Sequence, residues 1–211
     1  MNVAGVIDRV RVLLQDPTGI RWSDTELLNA IAEAQQFVAN VRPDSTSSVI
    51  DLVVTADTFY SELPSTARRV LDVLGTSAGD TVTNVKMAVL DRHAPAWRTE
   101  SGSKIKHYIY EDRDPSRLYV YPKPTSDTTL RVLVSANPSN TVSLSGTLSV
   151  DDSYVASIVD LTASRALEKE SSSASFGKAG SFKQAAMDRM KIISGADASN
   201  SPQANEAEVR K

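Results

Sequence analysis

Arg21-Trp22-Ser23-Asp24-Thr25-Glu26-Leu27-Leu28 is the stretch on which the fold turns. Ser23 can cap a helix, Glu26 three residues on can reach back to the Ser23 amide, and Trp22 can pack on Leu27 across the helix entry. A cap of this kind is worth roughly 1 kcal/mol. Leu27, Leu28, Ile31, Ala34 and Val38, with Phe37 and Val41 at the edge, carry an apolar stripe on to Pro43, which stops it. Upstream, Val3, Val6, Ile7, Val10, Leu13 and Leu14 recur at steps of three and four, with Asp8, Arg9, Arg11 and Gln15 between them. Asp16-Pro17-Thr18-Gly19 closes that helix, because proline cannot continue the ladder and glycine accepts left-handed geometry. Residues 1–44 therefore predict an N-terminal antiparallel helical hairpin.

The apolar period changes after Ser45. Val49 to Val54, Val70 to Leu74, Val85 to Leu90, Ile105 to Tyr110, Leu118 to Tyr121 and Leu130 to Val134 are short runs split by turn residues, which predicts strands. Glu111 to Ser116, with aspartates and a proline, joins the fourth and fifth runs as a hairpin turn. Leu63-Pro64-Ser65 and His93 to Trp97 read as connectors with single helical turns. A polar stretch from Asn137 to Ser149 precedes Asp151-Asp152-Ser153, a capping sequence for the helical series Val155, Ile158, Val159, Thr162, Ala166 and Leu167. After the serines at 171–175, Phe176, Ala179, Phe182, Ala186, Met190 and Ile193 predict a last helix that ends at Gly195.

The expected class is α+β: a helical bundle made by the N-terminal hairpin (1–44) and two C-terminal helices (151–195), with a β-rich insertion (45–150). No solenoid period is present and no linker separates domains. From Ala196 to Lys211 the chain is small, polar and charged, with Val209 its only large apolar residue. Ordering a residue costs roughly 1 to 2 kcal/mol of backbone entropy and burying one valine returns about 1.5 to 3, so a disordered tail is expected at 196–211.

Composition limits the functions open to the chain. It has 211 residues, 41% apolar, with a net charge of −3 and no cysteine. That length buries a core without staples, and the lack of cysteine rules out disulfides, thiolate metal sites and cysteine nucleophiles. No run reaches the roughly 20 apolar residues that cross a bilayer, so no membrane partner is expected. The N-terminus lacks the basic and apolar blocks of a signal peptide, so the mature fold is expected to begin at residue 1. A net negative chain is a poor electrostatic match for phosphates.

Chemistry-bearing motifs are sparse. His93 and His107 are the only histidines, there is no HExxH, and no nucleophile-elbow pattern accompanies either. Both read as surface or loop residues. Ser101-Gly102-Ser103-Lys104 lacks the spacing of a phosphate loop and reads as a flexible turn. Lys104, Lys106, His107, Tyr108 and Tyr110 mix cations and aromatics on one strand, which could grip single-stranded nucleic acid, although an ordinary two-faced strand explains them more simply. Asp151 and Asp152 stand where a cap belongs. No catalytic, cofactor-binding or metal-ligating residue is assigned, and no cofactor is expected.

A resemblance adds to this reading. Val12 to Pro17, then Arg21 to Leu28, then Ala34-Gln35-Gln36 is similar to the N-terminal signature of bacteriophage head-to-tail adaptor proteins, the head-tail connectors of short-tailed phages. Glu62-Leu63-Pro64 with Ala67 to Leu71, and Tyr119-Val120-Tyr121-Pro122, continue it, and the element order resembles the family over nearly the whole chain. The resemblance implies a structural virion protein, assembled in the host cytoplasm and lying in the virion neck. It implies a homo-oligomeric ring of twelve subunits that joins the portal protein to the tail nozzle or tail tube. Genome DNA passes through its lumen without tight binding. Outer faces of the bundle helices are the candidate ring contacts. Related adaptors send a C-terminal segment into grooves of the portal, which here implies Ala204, Asn205, Glu206, Ala207, Glu208, Val209, Arg210 and Lys211. A different head- or tail-completion protein is the nearest alternative. A nucleic-acid-binding module acting through Lys104 to Tyr110 comes next, and a hydrolase in the β-rich part last.

Overall fold

A computed structural model describes residues 1–140, 142–170 and 172–200 of the chain. It is a mixed α+β protein whose contacts divide into two compact units, one formed by Met1–Ser45 with the described residues from Pro138 onward, the other by Thr46–Asn137.

The first unit is helical. Helix α1 (Val3–Leu14) is capped by Asn2, whose side chain accepts the Gly5 N–H at 3.0 Å, and it buries Val3, Val6, Ile7, Val10 and Leu14. It ends at Gln15, which takes the left-handed conformation (φ 56°). Helix α2 (Asp24–Val41) begins with the expected reciprocal cap: the Glu26 N–H donates to Ser23 Oγ at 3.3 Å and the Ser23 N–H to Glu26 Oε2 at 3.0 Å. Trp22 and Leu27 are both buried in the core that this entry opens onto.

Helix α4 (Val155–Leu167) lies at the centre of this unit. Helices α1 and α2 each pack more extensively on α4 than on one another, so the expected hairpin is held together by a third helix. Helix α5 (Ser173–Asn200) lies along α4, with Ala179, Ala186 and Met190 buried. The predicted end of this helix at Gly195 is corrected: it runs on through Ala196 to Asn200, since a glycine costs a helix interior only about 1 kcal/mol against alanine. The rest of the expected tail, 201–211, lies outside the described residues. The polar stretch read with the β-rich part from the sequence also differs, because much of it joins the helical core. The Val3 N–H donates to the Gly146 carbonyl at 3.0 Å, the Ser149 N–H to Gln35 Oε1 at 2.6 Å, and Val150 is buried.

The second unit is β-rich. Strands β1 (Ser47–Val54), β9 (Thr128–Ala136) and β3 (Ala67–Thr76) form an antiparallel sheet in the order β1-β9-β3, with Ile50 opposite Val132 and Val132 opposite Val73. β3 carries three register shifts and β1 none. A second sheet is ordered β2 (Tyr60–Glu62), β7 (Arg117–Tyr121), β6 (His107–Ile109) and β4 (Thr83–Asn84). The predicted β6–β7 hairpin is present, with His107 opposite Tyr121, and its turn is braced by the Tyr119 hydroxyl donating to Asp114 at 2.7 Å. Leu52, Val54, Val70, Val132, Leu118 and Val120 fuse both sheets into one core. The chain enters through β1 and leaves through β9, which are paired neighbours: Ser47 faces Ser135, and Thr46 Oγ1 bonds Ser135 Oγ at 3.0 Å and the Ala136 carbonyl at 2.9 Å.

Two local expectations change. Val85 to Leu90, read as a strand, gives helix α3 (Met87–His93), whose Leu90 packs with Trp97 and Ile109. A run of six apolar-rich residues fits either period, and here burial of one residue per turn prevails. Ser101-Gly102, read as a flexible turn, is strand β5, paired in parallel with β8 (Lys123–Pro124). A β-carbon on Gly102 would lie 2.5 Å from Pro122 Cγ, so only glycine fits there. Among the described residues no helix is long and apolar enough to cross a membrane.

The α4–α5 contact depends on small residues, so Ala186→Leu is expected to destabilise the helical unit by about 1 to 3 kcal/mol in chemical denaturation. Gly177, with open space around its β-carbon position, should instead gain about 0.5 to 1 kcal/mol as alanine.

Candidate functional site

The helical unit presents an open apolar surface around the loop between α1 and α2. The loop is built on Asp16, a buried carboxylate that accepts N–H groups from Ile20 at 3.1 Å, Arg21 at 3.0 Å and Trp22 at 3.0 Å. Burial by itself raises the Asp16 pKa. The bonds from Trp22, Ile20 and Arg21 and the charge of Arg11 outweigh that effect and hold it below the ordinary carboxylate value. Arg11 closes the loop from the helix side, donating to the carbonyls of Asp16 and Trp22 at 3.3 Å each. Its guanidinium lies 2.6 Å from where a β-carbon on Gly19 would sit, so the left-handed glycine (φ 68°) is needed for close approach as well as for the turn. Trp22 is anchored below by its indole N–H, which donates to the Ala166 carbonyl of α4 at 2.9 Å.

This anchoring fixes a loop whose outward side chains are unusual. Ile20 in this loop is 85% exposed, and elsewhere on the helical unit Val12 of α1 (76%) and Phe176 of α5 (66%) are exposed as well. Arg21 lies 4.9 Å over the Trp22 ring and pairs with Glu170, which also accepts from Ser175. Between the loop, the end of α1 and the first half of α5 runs a groove of about 600 Å³, with Leu13, Leu14, Trp22, Leu167, Phe182 and Ala185 in its walls and Arg21 and Lys178 at its rim. Gln15, Glu170, Ser175 and Ser181 complete the lining, and an open groove with apolar walls and polar edges can receive another polypeptide. A smaller hollow of about 360 Å³ lies between α2 and α4, crossed by ion pairs of Glu26 with Lys169 and of Glu33 with Arg165.

The residues considered for chemistry are not brought together. His93 is exposed at the end of α3. His107 stacks on Tyr121 with ring centres 6.1 Å apart, and its Nδ1 is 2.7 Å from Thr83 Oγ1. Lys104 pairs with Asp80 at 2.6 Å. The Tyr108 ring is buried with its hydroxyl on Asp72 at 2.8 Å, so the aromatic run does not form a platform for stacking bases. Asp151 is a cap, accepting the Ser153 N–H at 2.9 Å, and Asp152 pairs with the N-terminal amine. Among the described residues no group of three or more histidines or carboxylates could hold a metal. The portal-binding segment expected at Ala204 to Lys211 lies outside the described residues.

The family model described as SU10 adaptor protein matches residues 1–206, and the chain belongs to that family. The resemblance read from Arg21 to Leu28 thus stands, and the protein is a structural component of a bacteriophage virion, of the adaptor class. Among curated proteins none matches.

The sequence reading named outer helix faces but not the groove, nor Lys178 in its lining, nor the exposed Ile20 and Phe176. A signal was available for Val12, which is exposed as well: Val12, Leu13 and Leu14 are consecutive, and a helix cannot turn all three inward.

Glu26 provides a pH test of this region. Lys169, then the Ser23 amide and hydroxyl, lower its pKa to about 2 from a model-peptide value of 4.5. A depressed carboxyl contributes stability above its unfolded value and loses it as pH falls through the folded one. The melting temperature should therefore drop between about pH 4.5 and 2, and Glu26→Gln should flatten that part of the profile. Asp16→Ala should speed amide exchange at Ile20, Arg21 and Trp22 selectively, as seen by NMR, since it removes their shared acceptor.

Proposed function

We propose that this chain is a non-enzymatic head-to-tail adaptor, twelve copies of which form a ring that joins the portal to the tail nozzle or tail tube and lines the DNA channel of the neck. Membership of the adaptor family over residues 1–206 carries this reading. The groove beside the Asp16 loop supports it, as a site where one subunit can meet another polypeptide. A ring needs two different patches per subunit, related by a rotation that closes. A net charge of −3 suits a conduit, since a wall without a strong positive field lets DNA pass unheld.

In this reading Ala204 to Lys211 dock on the portal. The segment is short, with Val209 its only large apolar residue, so each copy binds modestly and the ring gains by avidity. Deleting 204–211 should leave the circular dichroism and melting temperature of the free protein unchanged and reduce the complex with portal in native mass spectrometry. Undiminished complex would remove the role assigned to the segment. Cryo-electron microscopy of the particle neck tests the whole reading: a closed ring of this chain between portal and tail is expected, and its absence from the neck would overturn the assignment.

A further inference from the structure

Helix α5 carries two unlike patches on one rod. Its first half gives Phe182 and Ala185 to the wall of the groove and Lys178 to the rim. Its last turns present Ile192, which is 72% exposed, with Asp188 one turn before it on the same side. Gly195 follows three residues later with open space around its β-carbon position, so a neighbouring surface can come close to that side of the helix. The described partners of Asp188, Gln184 at 3.0 Å and Lys191 at 3.4 Å, are exposed groups on its own helix, and such contacts give way readily to a better-placed cation.

Ile192 cannot fill the groove of its own chain. At 1.5 Å of rise per residue it stands roughly 15 Å along the same rod from Phe182. The occupant must come from another molecule. We propose that the groove of one copy receives the Asp188–Gly195 segment of α5 from a second copy, with Ile192 seated against Phe182, Leu13 and Trp22 and with Asp188 meeting Lys178. This rests on the ring reading above and names its subunit contact. The charges left over in the two patches match: at the groove Arg21 is held by Glu170, which leaves Lys178, and on the segment Arg189 is held by Asp160, which leaves Asp188, the one acid there, to exchange its weak contact with Lys191 for Lys178. The contact is also directional. Each copy that joins leaves one open groove at one end and one open knob at the other, so growth continues until rotation closes the chain of copies. The Asp16 scaffold makes the contact tighter than the patch size suggests, because the groove wall is already ordered before the partner arrives.

The absence of cysteine from the chain makes a cross-linking test clean. Phe182→Cys combined with Ile192→Cys, oxidised mildly, should give a ladder of covalent multimers on non-reducing gels, and neither single variant should. Native mass spectrometry of the same samples, with and without portal, reports the ring independently. Rings without a ladder would overturn this contact and leave the adaptor reading standing, whereas neither rings nor ladder would overturn both. Lys178→Glu should weaken assembly at least tenfold with circular dichroism unchanged, and adding Asp188→Lys should restore it. Failure of the paired exchange to restore assembly would overturn the Lys178–Asp188 pairing.

Discussion

The helical unit depends on one helix being surrounded. Eleven of the thirteen residues of α4 are buried, among them Ser157, Asp160, Thr162 and Ser164, so it has almost no solvent face. A helix enclosed in this way is stable only if every polar side chain finds a partner, because an unmet buried group costs about 1 to 3 kcal/mol. Each of the four has one. Thr162 Oγ1 donates back to the Ile158 carbonyl at 2.7 Å, Ser164 Oγ to Ala179 at 2.8 Å, Ser157 Oγ to Ala186 at 3.5 Å, and Asp160 accepts from Arg189 at 2.9 Å. Three of the four bonds reach α5, and they fix its position and rotation against α4. The small residues of α4 and α5 serve the same end, since hydroxyl groups reach a neighbouring backbone carbonyl only where two helices lie close.

What the sequence made legible followed from strong local chemistry. The reciprocal cap at Ser23 and Glu26, the stop at Pro43 and the alternation of Leu130, Val132 and Val134 each admit one structure, and each is found. The β6–β7 hairpin was legible for the same reason, with aspartate and proline in its turn. Where the reading failed, the local signal was divided. Val85 to Leu90 is too short to distinguish periods of two and 3.6, and Gly195 ends a helix only when its neighbours favour stopping. Gly146, Leu148 and Ser149 read as loop because their backbone groups bond distant partners, Val3, Met1 and Gln35, which no local pattern encodes.

The candidate surface was less legible than the fold for a physical reason. Its parts come from α1, the loop after it, the end of α4 and α5, which are far apart in sequence and adjacent only in the folded helical unit. An exposed isoleucine in a sequence is unremarkable, since folded proteins leave much apolar area in water. It becomes informative only when the backbone beneath it is pinned, as Asp16 pins Ile20.

The way the β-rich unit is spliced into the chain has a bearing on how such proteins diversify. Its entering and leaving strands are hydrogen-bonded neighbours, with Ser47 opposite Ser135, so the two points where Thr46–Asn137 joins the rest of the chain lie side by side. An insertion with ends this close can be lengthened, shortened or exchanged for another module by recombination at those two points, with no change in the distance the helical unit must span. In such a chain a change of length between residues 46 and 137 leaves the two splice points where they are.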